Sequence, residues 1–275
     1  MFMYKEKFID SSISKEQQEY LIRVKKRKKA ILITQISILV LSIVLWELAA
    51  QFKWIDTFLT SNPSKIVKLF IKYVKNGSIF EHIGISLMET IVGFLAGTAL
   101  GIIIAVFLWW SEFLAKVLDP YMVVLNSLPK TALAPIIILW AGAGYSGIIV
   151  TAVSISIVIT ILNIYGSFIE VDEDKIKMLK TFGATKTQIL KKVVFPASIP
   201  SMISTLKVNI GMSWVGVIVG EFIVSRAGLG YLLVYGGQVF QLDLVMMSVI
   251  ILAILTTFMY KVISIIENKF MKWRH

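Results

Sequence analysis

The residues most able to do chemistry in this sequence are charges that fall inside long apolar stretches: Glu89, Lys130, Lys207 and Glu221. A charge in a hydrocarbon environment is costly and is retained where it is paired or faces a cavity. Lys130 stands in Leu128-Pro129-Lys130-Thr131, in a run that Pro129 and Pro135 interrupt, so its helix is expected to kink or break. Broken helices at membrane depth line a cavity or are buried in protein, which makes Asn126, Pro129, Lys130, Thr131 and Pro135 candidates for a pathway. A rise of about 1.5 Å per residue counted from position 121 puts Lys130 near mid-membrane, either lining a path or paired with a carboxylate. Lys207 is expected in the inner half, with its ammonium snorkelling to the interface. Glu89 and Glu221 are candidate gating or structural charges, Glu221 about 30 Å along its run and so near the outer face. The amides of Asn126, Asn163 and Asn209 can hydrogen-bond either a solute or a neighbouring helix.

Other chemistries are excluded by what is missing. Cysteine is absent, and the two histidines, His82 and His275, are far apart in sequence, so neither thiolate nor histidine metal sites are expected. Gly144-Tyr145-Ser146-Gly147 has the G-x-S-G form of an intramembrane serine protease, but such a serine needs a histidine base within reach. A glycine-rich turn between two spans explains it better. No Gly-Lys dipeptide occurs, so the chain holds no G-x-x-x-x-G-K-[ST] phosphate loop. It is read as a chain that does no covalent chemistry.

The elements that position these residues follow from composition. Of 275 residues, 57% are hydrophobic and 16% charged, against roughly 45–50% and about 25% in soluble domains. Apolar runs at about 31–50, 83–110, 121–141, 145–167, 199–224 and 243–265 are each long enough to cross a bilayer as a helix. The fold class is therefore an all-α integral membrane protein with about six transmembrane helices. The net charge of +11 is not a nucleic-acid signal, because Lys25, Lys26, Arg27, Lys28 and Lys29 lie directly before the first run. Such residues stay cytoplasmic, which places both termini and the 168–198 loop on that side. The loop carries Lys175, Lys177, Lys180, Lys186, Lys191 and Lys192, and the tail Lys269, Lys272 and Arg274.

The chain is thus divided into a basic cytoplasmic segment (1–30), a first span with an outer helix (31–82), a core (83–265) and a cytoplasmic tail (266–275). In the second part, Asn62 or Ser61 can cap a helix beginning at Pro63. Lys65, Lys68, Lys72 and Lys75 then share one face, opposite Ile66, Leu69, Phe70 and Tyr73, as in an amphipathic helix at the interface with lipid. Gly93, Gly97 and Gly101 leave a groove for close approach of a neighbouring helix. The 168–198 loop reads as two short helices meeting at Gly183. Asp172, Glu173 and Asp174 suit a helix start, Gly183 a left-handed C-terminal turn, and Thr185 with Gln188 a capping box. Pro196 and Pro200 lead into the next span.

Lys177-Met178-Leu179-Lys180-Thr181-Phe182-Gly183-Ala184, then Ile189-Leu190 and Val194-Phe195-Pro196, resembles the cytoplasmic "EAA" loop of ABC importer permeases. Leu133-Ala134-Pro135, Leu139-Trp140, Gly142-Ala143-Gly144, Ser213-Trp214, Gly220-Glu221 and Gly228-Leu229-Gly230-Tyr231-Leu232, with Asn62-Pro63-Ser64, are similar to the nitrate/sulfonate/taurine branch. The resemblance covers roughly residues 45–270. It implies a type I ABC importer permease fold, with Lys177, Met178, Leu179, Phe182, Gly183, Ala184, Thr185, Leu190 and Pro196 in a coupling loop. It also adds Ser213 and Trp214 to the candidate pathway. The implied partners are two copies of a separate ABC ATPase subunit, which would hold the ATP and magnesium, a second permease copy and an extracytoplasmic substrate-binding protein. The implied setting is a prokaryotic plasma membrane and the implied cargo a small anion. Lys177-Met178-Leu179 replaces the glutamate-alanine-alanine that names the loop, reversing a charge. The rival reading is a secondary transporter driven by an ion gradient; a non-transporting scaffold leaves the broken helix and buried charges without a purpose.

Overall fold

The computed structural model describes residues 14–271; Lys272, Arg274 and His275 of the expected tail lie outside them. The described chain divides after Ser64 into two compact units.

The first unit is built on α1 (Lys15–Gln51), so the basic run expected as a separate segment continues as helix into the first span. Within it, Thr34 and Ser42 donate their hydroxyls to the carbonyls of Ala30 and Ile38, which satisfies them without water in an apolar helix. A short α2 (Thr57–Thr60) follows, capped by Asp56. The Glu47 carboxylate then gathers the turn that follows. It accepts from the Ser64 N–H at 3.0 Å, the Ser64 hydroxyl at 2.8 Å and the Asn62 amide at 3.4 Å.

At the junction, α3 (Pro63–Lys75) starts at Pro63 as expected. Ile66 is buried and Leu69 and Tyr73 are half-buried, but Phe70 is exposed rather than on the covered face. The second unit continues with α4 (Ser78–Trp110), α5 (Glu112–Ser127), a 3-10 turn at Lys130–Leu133, α6 (Ala134–Ala141) and α7 (Tyr145–Ile169). Then come α8 (Glu173–Thr181), α9 (Lys186–Ile189), a π turn at Leu190–Val194, α10 (Phe195–Val224), α11 (Leu229–Gln238) and α12 (Leu242–Met271).

Five described helices are long and apolar enough to cross a membrane, or six if the bent pair α5 and 130–141 counts as one. That pair is bent by 87°, so the expected break in the third run is present. The helix before it starts at Glu112 rather than near 121. The rise counted from 121 assumed a continuous helix, and the bend at Leu128-Pro129 removes that assumption for Lys130.

The core is a three-helix stack with α7 between α4 and α10. Gly93, Gly97 and Gly101 of α4 face Ala152, Ser156 and Thr160 of α7, each so close that a Cβ on the glycine would overlap its partner. Gly216 of α10 does the same against Ala152, and Gly220 sits tightly against Ile148. Apolar association between spans depends on such close backbone approach, because lipid is as apolar as the side chains it replaces. The π turn has a local cause. Pro196 has no N–H and its ring crowds the carbonyl four residues back, and widening that turn relieves both. The second helix of the loop therefore runs on without a stop into α10.

Candidate functional site

The polar hairpin between α7 and α10 is defined by its caps. Asp172 accepts from the Asp174 N–H at 2.9 Å to start α8. At the other end Gly183 has φ +75°, a conformation that glycine enters without the Cβ penalty. The Gly183 N–H reaches the Lys180 carbonyl at 2.9 Å and the Ala184 N–H the Leu179 carbonyl at 3.0 Å, the paired bonds of a Schellman turn. The next helix opens with the expected capping box, in which Thr185 N–H donates to the Gln188 side chain at 2.8 Å and Gln188 N–H to the Thr185 hydroxyl. Leu179 and Ala184 pack with Val171, Ile189, Leu190 and Val194 against Ala105 of α4 and Ile164 and Phe168 of α7. Pro196 lies just past this cluster, exposed in the first turn of α10.

The outer surface of α8 is left uncovered. Phe182 is 80% exposed and Met178 55%, large apolar areas on a helix with no buried residue. Lys177, which reverses the charge of the family motif, is paired within its own helix with Glu173 at 3.1 Å.

The candidate pathway residues fall into two groups. Asn126, Pro129, Thr131 and Pro135 lie exposed around the bend after α5, and the Lys130 ammonium there donates to the Asn126 carbonyl at 3.2 Å. Among the described residues no carboxylate stands at ion-pair distance from Lys130, so the carboxylate partner considered for it is absent; the broken turn instead offers the Asn126 carbonyl, which needs a donor. Asn163 is exposed on α7 and lines a cavity of about 350 Å³ with Gly166, Glu170, Ser201, Ser204 and Thr205. That hydroxyl-rich face of α10 carries a spacing signal, serines and a threonine three to four residues apart, that the sequence reading passed over.

Asn209, Ser213 and Trp214 are enclosed instead. The Asn209 amide donates to Thr98 of α4 at 3.0 Å and to Thr160 of α7 at 2.7 Å, so it knots the three core helices together. Trp214 packs with Phe94 and Ile210, with Leu252 and Leu255 of α12 alongside.

At the opposite end of α4 from the hairpin, Glu221 holds the start of α11. Its carboxylate accepts from the Ser86 hydroxyl and from the Gly230 N–H. Ser86 in turn accepts from the Leu229 N–H at 2.7 Å, and His82 Nδ1 from the Gly228 N–H at 3.0 Å. The first N–H groups of a helix have no partner inside it and carry its positive dipole end, so a carboxylate, a hydroxyl and an imidazole nitrogen answer them. Gly228, at φ +120°, lies so close to Glu221 that a Cβ would overlap the carboxyl group. Neither α11 nor the roles of His82 and Ser86 were read from the sequence, although their spacing of four residues puts both on one face of α4. Glu89 lies one turn further on, fully buried, and lines a cavity of about 370 Å³ with Gly144, Tyr145, Ser225 and Arg226.

Lys207 and Ser146 both find partners in the fold. Lys207 pairs with Glu267 of α12, with its ammonium 5.4 Å from the Tyr260 ring centre. A carboxylate on the neighbouring helix thus neutralises it. Ser146 of the G-x-S-G tetrad donates to the Ala141 carbonyl at 3.0 Å, as befits a turn.

Long apolar helices packed through small residues, with enclosed polar knots, define a polytopic helical membrane protein. Comparison with known proteins then sets its family. Residues 97–272 match the family described as binding-protein-dependent transport system inner membrane component, and the chain belongs to it. It is 27% identical over 234 residues to SsuC of Bacillus subtilis, named as an aliphatic sulfonates transport permease protein, covering 85% of this chain and 84% of the relative. It is 25% identical over 235 residues to the riboflavin transport system permease protein RibX of Chloroflexus aurantiacus, covering 86% of this chain and 88% of that one. In fold it is similar to a chain of the inward-facing MetNI methionine ABC transporter, with a TM-score of 0.59 at 16% identity, covering 73% of this chain and 97% of that one. The protein is thus a multi-pass inner-membrane permease component of an ABC importer, and not the ATPase.

Proposed function

We propose that the protein forms the solute path of an ATP-driven importer and that the 172–195 hairpin couples it to a separate ATPase subunit. The observation that carries this reading is the hairpin itself. It is rigidly capped at both turns and packed into the bundle at its base, yet it holds Phe182 and Met178 in the open. Exposed apolar groups rimmed by charges mark a protein interaction site. The family resemblance supplies the occupant: a cleft of an ATPase, present in two copies that bind ATP and magnesium. A second copy of this chain would complete the path, and an extracytoplasmic binding protein would deliver cargo. Both termini are then cytoplasmic, in keeping with the basic run of α1.

The cargo is proposed to be a small anion of the alkanesulfonate type, on the strength of the sulfonate relative; the riboflavin relative shows that kinship alone does not fix it. Closure of the ATPases would move the hairpins and switch the bundle between inward and outward access. In that mechanism Asn163 and the Ser201, Ser204 and Thr205 hydroxyls face the path, with Asn126, Pro129, Lys130, Thr131 and Pro135 at the broken helix. Asn209, Ser213 and Trp214 keep the helices in register, and Glu89 and Glu221 act at the far end.

The test is purification of the tagged protein from its membrane in mild detergent, with an assay of ATP hydrolysis. A stoichiometric Walker A subunit should accompany it, and Gly183→Trp should stop ethanesulfonate uptake while leaving the protein in the membrane. Uptake that survives ATP depletion with the ion gradient held constant would overturn the reading.

A further inference from the structure

The hairpin meets the bundle through one polar contact that its apolar base does not require. Lys186, the first residue of α9, donates from its ammonium to the Trp110 carbonyl at 2.6 Å. Trp110 is the last residue of α4, and its carbonyl belongs to the group left without a partner at a helix C-terminus, the negative end of the dipole. The same ammonium stands 5.6 Å from the centre of the Trp109 ring and 5.8 Å from that of Trp110, within range of cation–π attraction. Glu112, at the start of α5, is paired with Lys116 at 2.7 Å. One side chain therefore joins the turn that opens the second helix of the hairpin to the end of a core helix 76 residues earlier in the sequence.

An apolar contact such as that around Ile189 and Leu190 is non-directional and names no single partner atom. A charge-assisted hydrogen bond to one particular carbonyl is directional and short. We infer that Lys186 is the positioning residue that holds the hairpin in fixed register with the end of α4, so that displacement of the hairpin is passed to α4 and to α7 packed against it. The inference rests on the coupling role proposed above.

The chain has no cysteine, so paired nitroxides can be introduced cleanly at two exposed positions, Lys175→Cys on α8 and Phe107→Cys near the end of α4. The measurement is made on the reconstituted complex with its ATPase, before and after ATP and vanadate. In the otherwise unchanged chain the Lys175–Phe107 distance within one protomer should stay constant while the Lys175–Lys175 distance between the two copies changes. Lys186→Met should displace and broaden the first distance by several ångström on nucleotide binding, while the apolar base keeps the hairpin folded. Lys186→Arg, which retains both the donor and the cation over the rings, should restore the constant distance. A purely structural role would not show that nucleotide dependence or that rescue. An unchanged distance in Lys186→Met overturns the inference and leaves the coupling reading standing. A Lys175–Lys175 distance that ignores nucleotide overturns both.

Discussion

The two ends of α4 are held in opposite ways. At the hairpin end the bonds that shape the hairpin are short in sequence: Asp172 to Asp174, Thr185 to Gln188, Gly183 to Lys180, and the Lys186 bond to the Trp110 carbonyl ties that preformed unit to α4. At the other end the polar bonds span the chain, with Ser86 and Glu221 separated by 135 residues and His82 and Gly228 by 146. Local caps make a hairpin that keeps its shape wherever it goes. Long-range bonds to a buried carboxylate fix one helix relative to two others. The first arrangement suits a part that moves as a body, and the second a part against which movement is measured.

Breaking the buried end should cost most. Glu221→Ala leaves the Ser86 hydroxyl and the Gly230 N–H without their acceptor in a water-free setting, a loss of about 3 kcal/mol. Thermal unfolding of the purified protein should show it, and Ser86→Ala on top of it should lower stability further, since it also leaves the Leu229 N–H without its acceptor. At the hairpin, Gly183→Val forces a branched residue to φ +75°, at about 1–2 kcal/mol. That cost should appear as local hydrogen exchange in 179–186 with the global unfolding temperature nearly unchanged. Equal drops in global stability for the two variants would erase the contrast between the ends.

A smaller effect tests the core between them. Asn209→Ala removes both bonds that tie α4, α7 and α10, and at typical values for hydrogen bonds between spans this amounts to about 1 kcal/mol. Lys177→Ala should change stability by only about 0.3 kcal/mol, as an exposed pair one helical turn apart does, while its effect on hydrolysis reports whether the reversed charge meets the ATPase.

Which features could be read in advance follows the same division. The starts and stops of the hairpin were legible because each depends on residues three or four apart: Asp172 before α8, Gly183 after it, Thr185 with Gln188. The glycine stripe of α4 was legible as a groove, but its complement of Ala152, Ser156 and Thr160 was not, since nothing in one helix names its neighbour. Lys207 was correctly suspected of needing relief, yet Glu267 lies 60 residues away and no spacing rule connects them. For Lys130 the bend at Leu128-Pro129 was foreseen from proline chemistry, whereas its partner proved to be the Asn126 carbonyl that the bend leaves available.

By itself, the sequence determined the class: apolar length sets the number of possible spans, proline breaks the third, and glycine with polar caps shapes the hairpin, because these effects act within a turn or two of backbone. Only the tertiary structure decided that Asn209 is a knot rather than a lining group, that Glu221 seats α11 through Ser86 and His82, and that Lys186 ties the hairpin to Trp110. Burial and hydrogen-bond satisfaction belong to pairs brought together by packing, and the cost of an unanswered polar group in an apolar interior is what makes those pairs form.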